Sequence, residues 1–137
     1  MYSCRHFKIY EIVPPSVYEK YGERAWWFLN PSLLELADAL RDDFGSCTVN
    51  DYKWGGKFSQ SGLRTSESQY YNPFSQHALG NALDMKFKIS ADEVREQIKS
   101  NPDKYLAIAP SITLEEGVSW VHIDVRNAEH GIRTFTP

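Results

Sequence analysis

Two stretches concentrate the residue types that can do chemistry: Ser75 to Phe87, SQHALGNALDMKF, and Ser119 to Arg126, SWVHIDVR. Both alternate apolar and polar residues, as half-buried strands do. Between Ala82 and Lys88, Leu83, Met85 and Phe87 fall on one face, and Ala82, Asp84, Lys86 and Lys88 on the other. In the second stretch Val121, Ile123 and Val125 oppose Trp120, His122 and Asp124. If the two strands share a sheet and turn their apolar faces to one core, Asp84 and His122 project from the opposite face into a common cleft. His77 precedes Asp84 by seven residues, and Gly80 between them lets the chain turn so that the imidazole reaches back over the strand. Two imidazoles and one carboxylate are the ligand set of a catalytic zinc site whose fourth position is left to water. Manganese and cobalt suit the same donors. Taken singly, each of these residues reads as an ordinary surface or core side chain. His6 and His130, which lack partners at a useful spacing, keep that reading.

The rest of the chain must position these groups. Phe7 to Val13 reads as a short strand or extended segment ended by Pro14-Pro15, and Ser16 to Phe28 as an ambiguous segment with room for a turn of helix. A helix is predicted from Asn30 as N-cap and Pro31 at the first helical position. Leu33, Leu36, Ala37 and Leu40 form its apolar stripe, and Gly45 stops it. Ser46 to Trp54 suits a strand broken by Gly55-Gly56, followed by the polar loop that carries Arg64. A second helix begins at the Ser90/Glu93 capping box, with Ile89 and Val94 as its hydrophobic staple, and stops at Asn101-Pro102. Tyr105 to Ile108 is compatible with helix or strand. Glu115-Glu116-Gly117 reads as the turn into the His122 strand, and Gly131 to Phe135 as an edge strand. Strands and helices mixed without βαβ alternation predict an α+β domain, its sheet mostly antiparallel, with helices on one face and the zinc cleft on the other.

At 137 residues the chain has the size of one domain, residues 1–137, able to bury a core without staples. A net charge of −3 offers no basic field for nucleic acid and no polybasic membrane patch. Cys4 and Cys47 lie far apart without a CxxC spacing and read as buried free thiols, with a disulfide as the alternative and a metal site disfavoured. The N-terminal MYSCRHFKIYEIV lacks the apolar stretch of a signal peptide.

Arg64 within SGLRT, the run Ser75-x-His77-x-x-Gly80-x-Ala82-x-Asp84, and WVHIDVR together resemble the M15 peptidases. These are D-Ala-D-Ala carboxypeptidases and L-Ala-D-Glu endopeptidases of phage lysins, with hedgehog-fold relatives. The resemblance spans roughly Trp54 to Arg126 and is nearest the small phage-type members. It implies a hedgehog/DD-peptidase fold and one zinc ion held by His77, Asp84 and His122. It implies further that Arg64 holds substrate and steadies developing negative charge, and that Ser75 lies beside the substrate. A structural salt bridge for Arg64 and a simple turn role for Ser75 are the alternatives. Many members carry a glutamate three residues before the last zinc histidine, where this chain has Ser119. Two carboxylates could take its place: Glu116, at the spacing of hedgehog-type relatives, and Asp124, which could equally be a partner that orients His122. Trp120 is expected to wall the cleft, with Tyr70, Tyr71, Phe74 and Trp54 as further aromatic lining.

The resemblance thus implies a zinc peptidase acting on peptidoglycan stem peptides. It would be made in the cytoplasm and act on the cell wall as a phage-derived lysin or virion-associated enzyme, with no nucleic-acid or membrane partner. The alternative is a non-catalytic, zinc-containing cell-wall-binding module of the same fold, which the missing glutamate favours.

Overall fold

A computed structural model describes residues 1–137. Its centre is a five-stranded sheet in the order β1-β2-β4-β3-β5. The strands are β1 (Cys47–Thr48), β2 (Ala82–Phe87), β3 (Ser111–Glu115), β4 (Val121–Asp124) and β5 (Gly131–Phe135). Three pairings are antiparallel and β3–β5 is parallel. Four helices accompany them: α1 (Pro15–Tyr21), α2 (Pro31–Phe44), α3 (Ala91–Ser100) and α4 (Pro102–Leu106). The architecture is α+β, as expected, and no helix is long and apolar enough to cross a membrane.

Alternation along the strands divides the sheet into two unlike faces. Leu83 and Met85, Ile112 and Leu114, Val121 and Ile123 join Leu33, Leu36 and Leu40 of α2 and Val94 and Ile98 of α3 in one hydrophobic core. Burying each such side chain contributes about 1.5–3 kcal/mol, so the strand register cannot slip without exposing the whole set. The opposite face presents Asp84, His122 and Asp124. Both major helices start where their sequences predict, although α3 forms only the Ser90 half of the expected capping box and leaves Ile89 exposed. Asn30 Oδ1 accepts the Ser32 amide at 3.0 Å with Pro31 at N1, and Ser90 Oγ accepts the Glu93 amide at 3.1 Å.

Elsewhere the local expectation gives way. Phe7 to Val13 is not a strand: Ile9–Glu11 form a 3-10 turn, and Ile9, Ile12 and Val13 are all buried. Their spacing of three and four is helical, and Glu11 closes the turn by accepting the Lys8 amide at 2.7 Å. Ser46 to Trp54 yields only the two-residue β1. Asn50 and Asp51 divert the chain there, their side-chain oxygens accepting the Ser61 and Phe58 amides at 2.9 and 2.8 Å. Tyr105 lies in α4 rather than in a strand. Ser111–Glu115 form a full strand, β3, in a stretch to which no element was assigned, and it takes Glu115 from the expected turn. Its period of two is present in the sequence, with Ser111, Thr113 and Glu115 alternating with Ile112 and Leu114.

Candidate metal centre

Asp84 on β2 and His122 on β4 are directly paired across the sheet. Side chains so paired point to the same face, and His122 Nδ1 lies 2.9 Å from Asp84 Oδ1. His77 reaches the same oxygen from above the strand, its Nε2 at 3.4 Å. It rides on the turn Ser75–Gly80, whose closing glycine has φ 74° and packs so tightly that a Cβ would fall 2.0 Å from Phe28 O. No residue with a side chain fits there.

One ligand atom from each of His77, Asp84 and His122 lies within 4.8 Å of the other two, and the group could hold a metal ion. The separations of 2.9 and 3.4 Å bracket the edge of roughly 3.3 Å that bonds near 2.0–2.1 Å give in a tetrahedron. The outer nitrogens are already committed. His77 Nδ1 is 2.9 Å from the Gly62 carbonyl, which can only accept, so this nitrogen carries the proton and Nε2 turns its lone pair inward. His122 Nε2 is 2.8 Å from Asp124 Oδ2, which leaves Nδ1 facing Asp84. Asp124 is fully buried and gripped through both oxygens by Arg126, each bond 2.7 Å long.

Charge in the group is tuned for a cation. Burial opposes ionisation of Asp84, but bonds to His122 and His77 outweigh it and hold the carboxyl well below the usual range. Burial likewise disfavours imidazolium at His122, yet Asp124 and Asp84 raise it to about 9. Between two carboxylates this ring keeps a proton on Nδ1, where a metal would otherwise sit. Asp124, despite burial, is drawn down to about 2 by Arg126 and His122.

Arg64 stands beside the ligands, its Nη2 3.2 Å from Asp84 Oδ2 and its Nε donating to the Gln60 carbonyl at 2.7 Å. Burial lowers its pKa, opposed by the charges of Asp84 and Glu115. It lines a cleft of about 620 Å³ with Lys57, Phe58, Tyr70, Asp84, Lys86 and Trp120. Tyr70 lies over the guanidinium, 5.8 Å away. Lys86 is spent on structure, its ammonium donating to Val49 O and Ser61 Oγ at 2.7 Å each. It fastens the Phe58–Arg64 loop against β2, where Asp84 N donates to Ser61 O at 2.7 Å.

The other expected residues fall in different places. Trp120 lines the cleft, whereas Tyr71 lines an adjoining apolar groove. Phe74 is 86% exposed and belongs to neither, and Trp54 packs its edge on Tyr10 instead. Ser75 Oγ accepts the Ala78 amide at 3.1 Å, which makes it a turn residue and not a cleft residue. Glu116 is not brought to the ligand group. Its carboxylate is held toward α3 by Lys99 at 3.0 Å and by Arg95 Nε at 3.4 Å. Asp124 is brought to the group through His122 Nε2, at 2.8 Å, and is held on Arg126.

Three contributors escaped the sequence reading. Gly62 offers the carbonyl that fixes His77, and a Cβ there would fall 2.0 Å from Ile12 O. Arg95 is buried in α3 and donates to the carbonyls of Trp120 and Val118 at 3.0 and 3.1 Å, holding the turn into β4. Nothing in a helical arginine surrounded by charged neighbours signals this. The third, Glu115, ends β3. Extending the β3–β4 register by one residue sets it across from His122.

No family model matches this chain, and neither a curated protein nor a solved structure does.

Proposed function

We propose that this chain is a zinc-dependent peptidase of the hedgehog/DD-peptidase type that hydrolyses peptide bonds in bacterial peptidoglycan stem peptides, phage-derived and acting on the cell wall. The observation that carries the reading is the convergence of His77 Nε2, Asp84 Oδ1 and His122 Nδ1 with both outer ring nitrogens already bonded. Such outer partners fix tautomer and ring orientation in metal sites. Two histidines and a carboxylate fit zinc with an open position.

A bound ion would supply a water nucleophilic near neutral pH and draw electron density from the scissile carbonyl. The chain's own residues do the rest. His77 and His122 are preset by Gly62 and by the Asp124–Arg126 pair, so no reorganisation is needed when substrate enters. Arg64, held at Asp84 and Gln60, presents a fixed cation whose attraction grows as the carbonyl oxygen gains negative charge. Tyr70, Phe58 and Trp120 offer apolar walls, and Lys57 with Arg64 favours a peptide bearing carboxylates. The choice of stem peptides follows from the motif resemblance.

A second reading, a zinc-containing wall-binding module without catalysis, draws support from the engagement of both Glu116 and Asp124 in ion pairs. Incubating zinc-loaded protein with purified peptidoglycan separates the two. A peptidase releases new amino termini or D-Ala, and chelator stops the release. Wall binding with no release under zinc, manganese or cobalt supports the module.

A further inference from the structure

We propose that Glu115 is the catalytic carboxylate of this site, moving the proton during hydrolysis, an inference that rests on the peptidase reading above. The sheet lays out one row of residues across four strands. Asp84 is paired with His122, the β3–β4 register runs through Thr113 with Asp124 and Leu114 with Ile123 so that one further step in the same register sets Glu115 against His122, and Glu115 is paired with Phe135. The Phe135 ring lies edge-on to His122 with centroids 5.7 Å apart, so the far end of the row closes over the same face. Residues opposed in this way have Cβ atoms about 4.5–5.5 Å apart. A glutamate at that position extends along the face that carries His122.

Two further features separate Glu115 from the other acids. Its carboxylate is half-buried and makes no hydrogen bond or ion pair, whereas Glu116 is tied to Lys99 and Arg95 and Asp124 to Arg126 and His122. Alternation also places it on the face of Thr113 and Ser111, away from the core formed by Ile112 and Leu114. Pairing puts His122, Asp84 and Asp124 of the neighbouring strands and Arg133 of β5 on that face, and the charge of Glu115 is felt at Arg64. As water oxygen adds to the carbonyl carbon, Glu115 accepts the water's proton. As the C–N bond breaks, the carboxylic acid returns that proton to the departing amine, and the carboxylate is restored.

The test compares wild type with Glu115→Gln, each loaded with zinc for cleavage of peptidoglycan and with cobalt for visible absorption followed from acid to alkaline pH. The expected results are a fall in turnover of about 10²–10⁴-fold at unchanged zinc stoichiometry and Tm, and a cobalt absorption midpoint about one pH unit lower, because a negative carboxylate beside the ion disfavours loss of a proton there. An unchanged cobalt titration overturns the assignment whether or not the wild type cleaves. So does full turnover in Glu115→Gln, or loss only in Glu116→Gln. A shifted cobalt titration in a wild type that cleaves nothing keeps Glu115 at the site and rejects the peptidase reading instead.

Discussion

Asp124 Oδ2 lies 2.8 Å from His122 Nε2 and is clasped from its other side by Arg126, so the orientation of one proposed ligand depends on a carboxylate with no solvent exposure at all. Removing an outer partner of this kind typically lowers metal affinity about 10–100-fold. Asp124→Asn is therefore expected to bind zinc that much more weakly in a chelator competition, with turnover largely recovered in excess zinc. Wild-type affinity in Asp124→Asn would show that His122 is oriented by other means. Turnover that stays lost in saturating zinc would return Asp124 to the chemistry itself.

Arg95 offers a test of how the cleft wall is built. Its buried guanidinium joins α3 to the carbonyls of Val118 and Trp120 and to Glu116. Arg95→Met would leave those acceptors unpaired and is expected to destabilise the fold by about 3 kcal/mol in urea titration. Trp120 emission should also change as its wall loosens. A loss under about 1 kcal/mol would mean that the turn holds without the arginine.

On the core side of the sheet, Asp38 ties the N-terminal segment to α2. It is 1% exposed and accepts from Tyr2 Oη, Arg5 N and His6 N at 2.7, 2.8 and 3.1 Å. Asp38→Ala strands these donors, and a loss of about 2–3 kcal/mol is expected with zinc stoichiometry unchanged. Loss of zinc binding in this variant would couple two regions that the fold keeps apart.

Cys4 and Cys47 are free and only half-buried, not fully buried as expected, yet burial still pushes both thiols up, Cys47 to about 12. In the unfolded chain they ionise near pH 8.5. A raised folded pKa contributes stability in full below that value and loses it as pH climbs toward about 12. Native protein at pH 8 should therefore resist a thiol reagent that labels both residues once it is unfolded. Rapid native labelling would contradict the burial of these side chains.

The parts of this fold that could be read in the sequence are those governed by local periodicity. Leu83, Met85 and Phe87 against Asp84 and Lys86 set β2, and Asn30-Pro31 with Ser90 set the two main helices. These signals arise within a few residues and survive packing. Residues that answer to distant partners were not legible. Asn50 and Asp51 turn a strand-like stretch into loop by receiving amides from Ser61 and Phe58, and no spacing within Ser46–Trp54 announces those donors. The ligand set showed itself because each residue type occupies a strand or turn position that points outward. Glu115 did not, because its meaning lies in the register between β3 and β4. Glu115-Glu116-Gly117 has the composition of a turn, and only pairing tells that Glu115 belongs to β3 while Glu116 lies beyond it.

The most direct test is to locate zinc by anomalous scattering in crystals grown with one equivalent of the ion. On the metal-site reading, a single peak lies about 2.0–2.2 Å from His77 Nε2, Asp84 Oδ1 and His122 Nδ1, and disappears in Asp84→Ala. A peak coordinated elsewhere, or none beside these three residues at full zinc occupancy in solution, would contradict it.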